Sequence, residues 1–425
     1  MDDYSEEIRK LYGPWQVLFT EENILDYRPG GYHPVALGDM SKDDRYKILH
    51  KLAHDENPTR WVAWDGQLEQ WVSIKILKAD RTSQSRELQH HRALSKLAQG
   101  HLLSKHIVRL FDDFILDGPN GRHLCLVFEL LAPPVDWMVT RPRTCHVAAG
   151  GGLTTDTILT ISTHLLEALT FLHENGYAHG DISVKTLTYT SDMLSWLDEK
   201  ELLKVLGAPV VHNVKREDGE PLGEGIPRQI IMAAEWDDYP HDDDDEDDEF
   251  LLFDLGGAFT RDTKPEKLAG HECLQAPETL FTSSFDHRAD LWSAGLTIYY
   301  LASRLFPLRR CWRHIEHKDP VETMIEFAGE LPQEWQQKHE QLRNDAERDF
   351  SGRSQGERKP PGSALEEKFP LYVPEPELQV LLPIIKGLTK LNPSNRMSAG
   401  QALFLIGMPH EECYATDEGR DVKWY

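Results

Sequence analysis

The chain has 425 residues, 40% of them hydrophobic, which is enough to bury a sizeable core in two or three lobes and excludes a disordered protein. Its formal net charge of −25 argues against a nucleic-acid or anionic-membrane binder and favours basic partners. Five cysteines (Cys125, Cys145, Cys273, Cys311, Cys413) without CxxC or zinc spacing fit a reducing compartment rather than a disulfide framework. The first residues are acidic and carry no apolar signal core, and no run reaches the ~18 apolar residues of a membrane span, so cytoplasm or nucleus is expected.

In chain order, the segments 45–52, 59–67 and 70–78 are rich in Ile, Val and Trp and broken by turn signals such as Asp65-Gly66, which predicts an antiparallel sheet. A helix is predicted over 85–97. Two further apolar runs, 106–116 and 122–131, flank Asp117-Gly118-Pro119-Asn120-Gly121 and predict a hairpin, completing an α+β lobe. From Thr155 the character changes. Ile158, Ile161, Leu165, Leu169 and Leu172 recur at helical spacing and Asn175-Gly176 supplies a stop, so a mainly helical lobe begins there. Further apolar helices are expected over 290–306, 376–388 and 399–406. The stretches 191–249, ending in the acidic run 242–249, and 341–368 are expected as inserts kept out of the core.

Phosphoryl transfer needs a cation on the phosphates, carboxylates for magnesium and a base near the accepting hydroxyl. Lys75 lies in Val72-Ser73-Ile74-Lys75 on the third strand, and Glu87 lies on the next helix within ion-pair reach. His179-Gly180-Asp181 follows the amphipathic helix, and Asp254 ends an apolar strand 73 residues later. Ala276-Pro277-Glu278, Asp290-Leu291-Trp292-Ser293-Ala294-Gly295 and Asn395-Arg396 follow in order. Glu278 and Arg396 are a candidate buried ion pair fixing the end of the segment that begins at Asp254. Taken singly, a strand lysine is usually a surface residue and an aspartate before a turn is usually a cap. Six signals in one order are far more specific.

The order resembles that of eukaryotic protein kinases, and two segments narrow the resemblance to the SR-protein kinase family. These are Tyr27-Arg28-Pro29-Gly30-Gly31-Tyr32-His33-Pro34-Val35 with Gly38-Asp39 and Arg45-Tyr46, and Asp319-Pro320-Val321-Glu322-Thr323-Met324-Ile325-Glu326-Phe327 leading to Gly329-Glu330-Leu331-Pro332. The resemblance implies a two-lobed α+β fold: an N-terminal extension over 1–44, a β-rich N-lobe over 45–131, a helical C-lobe over 132–407 carrying both inserts, and a tail over 408–425. It implies transfer of the ATP γ-phosphate to Ser or Thr of basic, Arg/Ser-rich proteins such as splicing factors, with ATP and Mg²⁺ as cofactors. Asp181 would be the catalytic base, Lys75 would hold the phosphates in pair with Glu87, and Asp254 would hold magnesium. Phe128 would border the adenine, Ala53 would line the nucleotide site, and Glu129 and Leu131 would offer backbone groups to the base. All these groups are expected to converge on one cleft.

Three departures from the family pattern keep a catalytically weak or inactive scaffold open as the alternative. The loop between the first two strands, 52–60, has no glycine and carries Asp55 and Glu56 where a phosphate cradle would be. Two positions after Asp181 stands Ser183 instead of a lysine. Five positions after it stands Thr186 instead of an asparagine, a weaker metal ligand. His-Gly-Asp also opens the catalytic loop of choline- and aminoglycoside-type phosphotransferases, but those keep the asparagine and lack the Ala-Pro-Glu segment. Trp61, Trp64 and Trp71 at strand spacing are expected to pack, and the run 242–249 to be a solvated, disordered segment, or secondarily a docking strip for an Arg-rich tail or a weak cation site.

Overall fold

A computed structural model describes residues 8, 10–12, 21–140, 147–148, 152–236, 239, 249–282, 284–306, 320–349 and 364–407. The described residues within 1–96, 108–133 and 189–248 form one compact unit, and those within 97–107, 134–188 and 249–425 form a second.

The first unit is built on a six-stranded antiparallel sheet of order β1-β2-β3-β4-β6-β5. Its strands are β1 (Met40–Ser41), β2 (Tyr46–His54), β3 (Pro58–Asp65), β4 (Gln70–Leu77), β5 (Leu110–Gly118) and β6 (Gly121–Glu129). Alternation along β4 sends Val72, Ile74 and Ile76 into a core with Ile48, Trp61 and Val127, and sends Lys75 to the other face. Each such fully buried side chain contributes about 1.5–3 kcal/mol. Trp64 and Trp71 face each other across β3 and β4, ring centroids 5.0 Å apart and edge to face, while the Trp71 indole N–H donates to the Leu197 carbonyl at 2.8 Å. The tryptophans therefore pack, as expected. The helix Glu87–Leu97 follows the sheet's first four strands.

The extension ahead of the sheet is part of this unit. Tyr27 and Tyr32 are buried in a second apolar cluster with Ile24, Val214, Ile226 and Ile230. Gly31 is required where the chain reverses, because a Cβ there would lie 1.8 Å from the Asp26 carbonyl oxygen. The fully buried Lys51 ammonium pairs with Glu21 at 2.6 Å and with Glu22, and donates to the Ile231 carbonyl at 3.1 Å.

The stretch 191–249 departs from its expected place. Instead of an insert held away from the core, its described residues up to Tyr239 belong to the first unit: the helix Glu199–Leu206 buries Leu202, Val205 and Leu206, and strand Gln229–Ile231 pairs with Val211–Asn213. Ile231 joins the main sheet core. Its high content of charge and glycine concealed apolar positions at helix and strand spacing. Of the acidic run, 242–248 lie outside the described residues, and Glu249 pairs with Lys105 at 2.6 Å. Of 341–368, residues 341–349 continue the helix Gln333–Asp349 and 364–368 begin the helix Ala364–Tyr372, while 350–363 lie outside the described residues.

The second unit is mainly helical. Helix Thr155–Glu174 is capped by the Thr154 hydroxyl, which accepts from Thr157 N, and is closed by Asn175; it buries Ile158, Ile161, Leu165, Leu169 and Leu172. Helix Arg288–Ser303 is buried along most of its length and packs on helix Leu381–Leu388, beyond which Ala399–Ile406 opens with a Ser398/Gln401 capping box. The short strands Leu187–Tyr189 and Phe250–Leu252 pair, as do Tyr177–Ala178 and Phe259–Thr260. Among the described residues no helix is long and apolar enough to cross a membrane.

Candidate active site

In the first unit, Lys75 on β4 extends its ammonium to both carboxylate oxygens of Glu87, at 2.8 Å each, and both side chains are buried. The pair matches the reach expected from sequence. Glu87 stands in the first helical turn, where the macrodipole favours its charge. Two contacts of equal length offset the desolvation that burial of either charge alone would incur.

The glycine-free hairpin tip between β2 and β3 closes without any positive φ over 52–60. Asp55 N donates to the Pro58 carbonyl at 2.9 Å, and the Tyr32 hydroxyl donates to the Asp55 carbonyl at 2.5 Å. Asp55 also pairs with Arg60 at 3.0 Å, which offsets part of its negative charge. Ala53 sits beside this tip, opposite Arg60. Glu129 ends β6 opposite Val72, Leu131 follows in the irregular stretch before Pro133-Pro134, and the buried Phe128 ring lies 5.1 Å from that of His91.

In the second unit, the chain around His179-Gly180-Asp181 is held from behind by Asp290, buried in the first turn of its helix. The Asp290 carboxylate accepts from His179 N at 2.7 Å and Gly180 N at 2.8 Å, and lies 3.0 Å from His173 Nε2. Burial opposes the Asp290 charge, but the His173 hydrogen bond, the nearby imidazoles and the Gly180 N–H hold its carboxyl below the usual range. His179 Nδ1 accepts from Asp181 N at 3.2 Å, so the proton sits on Nε2 and is donated to the Phe253 carbonyl at 3.1 Å. One imidazole thus ties the Asp181 loop to the segment that enters Asp254. Gly180 has φ +79°, and a Cβ there would lie 2.4 Å from the Gly257 carbonyl oxygen.

Asp254 has a left-handed backbone (φ 67°, ψ 72°), and its Oδ1 accepts from Gly256 N at 3.2 Å, capping the turn Leu255–Gly257. A short polar side chain able to bond locally tolerates that conformation. The turn and a later segment both border Asp181: Cβ atoms added at Gly257 and Gly270 would lie 3.6 Å from its Cβ and 3.3 Å from its Oδ1. The second unit therefore brings the Asp181 loop and the Asp254 turn together.

Thr186 faces inward. Its hydroxyl donates to the Asp181 carbonyl at 2.8 Å and accepts from Ser183 N at 3.0 Å, so it serves as an internal brace of the loop. Lys185 is exposed, and its charge acts on Asp136, whose carboxyl is raised by burial and lowered in part by that lysine.

The Glu278–Arg396 pair forms as expected, buried and bidentate at 2.8 and 2.6 Å, with Arg396 also donating to the Arg288 carbonyl at 2.7 Å. Glu278→Ala leaves the guanidinium buried without its counter-charge. The expected loss is about 3–5 kcal/mol, read as a lower urea midpoint at unchanged slope. The bracing roles of Asp290, His173 and His179 escaped sequence reasoning. The available signal was a lone acid opening an otherwise apolar helix.

No protein-family model matches the chain. It is 33% identical over 176 residues to the protein kinase dsk1 of Schizosaccharomyces pombe, covering 40% of this chain and 31% of that one. It is 25% identical to the serine/threonine-protein kinase SRPK of Physarum polycephalum, covering 73% of each chain, and 26% identical to a serine/threonine protein kinase of Aspergillus fumigatus, covering 91% and 90%. The chain thus spans about a third of the length of dsk1 and nearly all of the Aspergillus relative. A crystal structure of a kinase domain superposes with TM-score 0.57 at 14% identity, covering 87% of this chain and 97% of that one. The fold is that of a protein kinase domain.

Proposed function

We propose, on the premise that the chain is related to SRPK-family serine/threonine kinases, that it transfers the ATP γ-phosphate to Ser or Thr of basic, Arg/Ser-rich proteins. The observation that carries this reading is the intact Lys75–Glu87 pair, since a lysine held by a buried carboxylate is placed to hold phosphate oxygens. In this reading Lys75 and the hairpin around Ala53 hold the triphosphate, while Phe128 borders the adenine and the Glu129 and Leu131 backbone bonds it. Asp181 orients the accepting hydroxyl and takes its proton. The net charge of −25 favours an Arg-rich substrate.

The residues fit one magnesium ion better than two. Asp254 offers a hard carboxylate, whereas the Thr186 hydroxyl is committed to Asp181 and Ser183. When bound, magnesium would neutralise charge on the phosphates. The test is transfer of labelled phosphate from ATP to an Arg/Ser-repeat peptide and to a neutral Ser peptide. Transfer favouring the Arg/Ser peptide, and declining as salt rises, is expected. No transfer to either would sink the reading.

Thr186 also favours a second reading, a weak or inactive scaffold. Thr186→Asn introduces a carboxamide oxygen, so magnesium-dependent ATP affinity is expected to rise. Adding Ser183→Lys is expected to raise transfer through its cation. Titration calorimetry at two magnesium concentrations reads the first effect. Absence of ATP binding in both parent and variant would favour the scaffold.

A further inference from the structure

Away from the candidate catalytic residues, His106, His164 and Glu167 of the second unit bring ligand atoms within 4.8 Å of one another. His164 and Glu167 lie three residues apart on helix Thr155–Glu174, a spacing that puts both on one face. His106 ends the short turn Leu102–His106 and is fully buried, its ring stacked on that of His164 with centroids 3.9 Å apart.

The backbone of one residue holds both rings. Phe250 N donates to His164 Nδ1 at 3.1 Å, and the Phe250 carbonyl lies 2.9 Å from His106 Nδ1. A carbonyl only accepts, so His106 Nδ1 carries a proton and any lone pair left on the ring is on Nε2. That buried nitrogen lies 2.6 Å from Glu167 Oε2, yet no hydrogen bond of acceptable geometry satisfies it. A lone pair directed at a carboxylate oxygen is repulsive unless a proton or a metal ion joins them.

We propose that His106, His164 and Glu167 form a structural site for a zinc-class divalent ion. Two imidazoles and a carboxylate suit such an ion, and a ligand histidine whose other ring nitrogen donates to a carbonyl is the usual supporting arrangement. Tetrahedral ligands at metal–ligand distances near 2.1 Å stand about 3.4 Å apart, so the partly exposed Glu167 side chain moves outward by roughly 1 Å on loading. His164 turns off the stack and exchanges its bond from Phe250 N for a bond to the ion. Solvent supplies the fourth ligand on the Glu167 side. The ion would join the turn, the helix and, through Phe250, the strand that leads into Asp254.

The other comparable group among the described residues, Glu21, Glu22 and His54, does not compete, because the Lys51 ammonium already pairs with both of its carboxylates. Chelator-stripped full-length protein is to be titrated with Zn²⁺ by calorimetry and with Co²⁺ by visible absorption. One saturable equivalent and a tetrahedral Co²⁺ spectrum are expected, with affinity at least about tenfold lower in His106→Ala and Glu167→Gln and unchanged in His54→Ala. Should His106→Ala fail to fold, Glu167→Gln decides, since its shape is kept and its side chain is partly exposed. Absence of a saturable equivalent, or affinity equal to wild type in Glu167→Gln, overturns the proposal.

Discussion

Asp181→Ala is expected to lower phosphate transfer to an Arg/Ser peptide by about 10²–10⁴-fold with the folded structure retained, because a positioned carboxylate contributes on that scale to proton transfer. The loop should survive the change. Thr186 bonds to the backbone carbonyl of Asp181, and Asp181 N donates to His179, so neither contact uses the lost carboxylate. Turnover measured alongside the urea midpoint separates the two effects. An unchanged rate would assign the measured activity to another site or a contaminant, and a fallen midpoint would mean that the carboxylate supports the fold.

Asp290→Ala should cost as much stability as Glu278→Ala. Its carboxylate satisfies two buried N–H groups, those of His179 and Gly180, and faces His173. Each orphaned buried donor costs about 1–3 kcal/mol, so a total of about 3–5 kcal/mol is expected. Transfer should fall as well, since these N–H groups belong to the loop that carries Asp181. The pH dependence follows from the lowered folded-state pKa of Asp290. Its contribution is complete above the unfolded-state value near 3.9 and is lost as pH falls through the lower folded value. The stability gap between wild type and variant should therefore be constant from neutral pH down to about 4 and narrow below it. Denaturant titrations at several pH values read this directly, and a gap that narrows near pH 6 would assign the effect to a histidine instead.

The sequence by itself determined the elements whose side chains face one kind of surroundings. Runs of Ile, Val and Trp marked β2, β3, β4 and β6, and the spacing of Ile158, Ile161, Leu165, Leu169 and Leu172 marked a helix that forms over Thr155–Glu174. The order of Lys75, Glu87, Glu278 and Arg396 likewise announced two ion pairs that form, because charges that must be buried need a partner of opposite sign. Only the tertiary structure decided what depended on contacts distant in sequence. Residues 199–206 and 229–231 read as charged insert because their few apolar positions are diluted by polar neighbours, and the sheet core that takes up Ile231 is built from residues more than a hundred positions earlier in the chain. The direction of the Thr186 hydroxyl was not legible in the sequence either: backbone groups of its own loop turn it inward. Asp290 read as one member of a motif, and its role as the brace of His179 and Gly180 arose only when the fold brought its helix against a loop 110 residues earlier. Local patterning sets helix and strand through side-chain periodicity. The direction of a polar group is set by the nearest unsatisfied partner, which only the folded chain supplies.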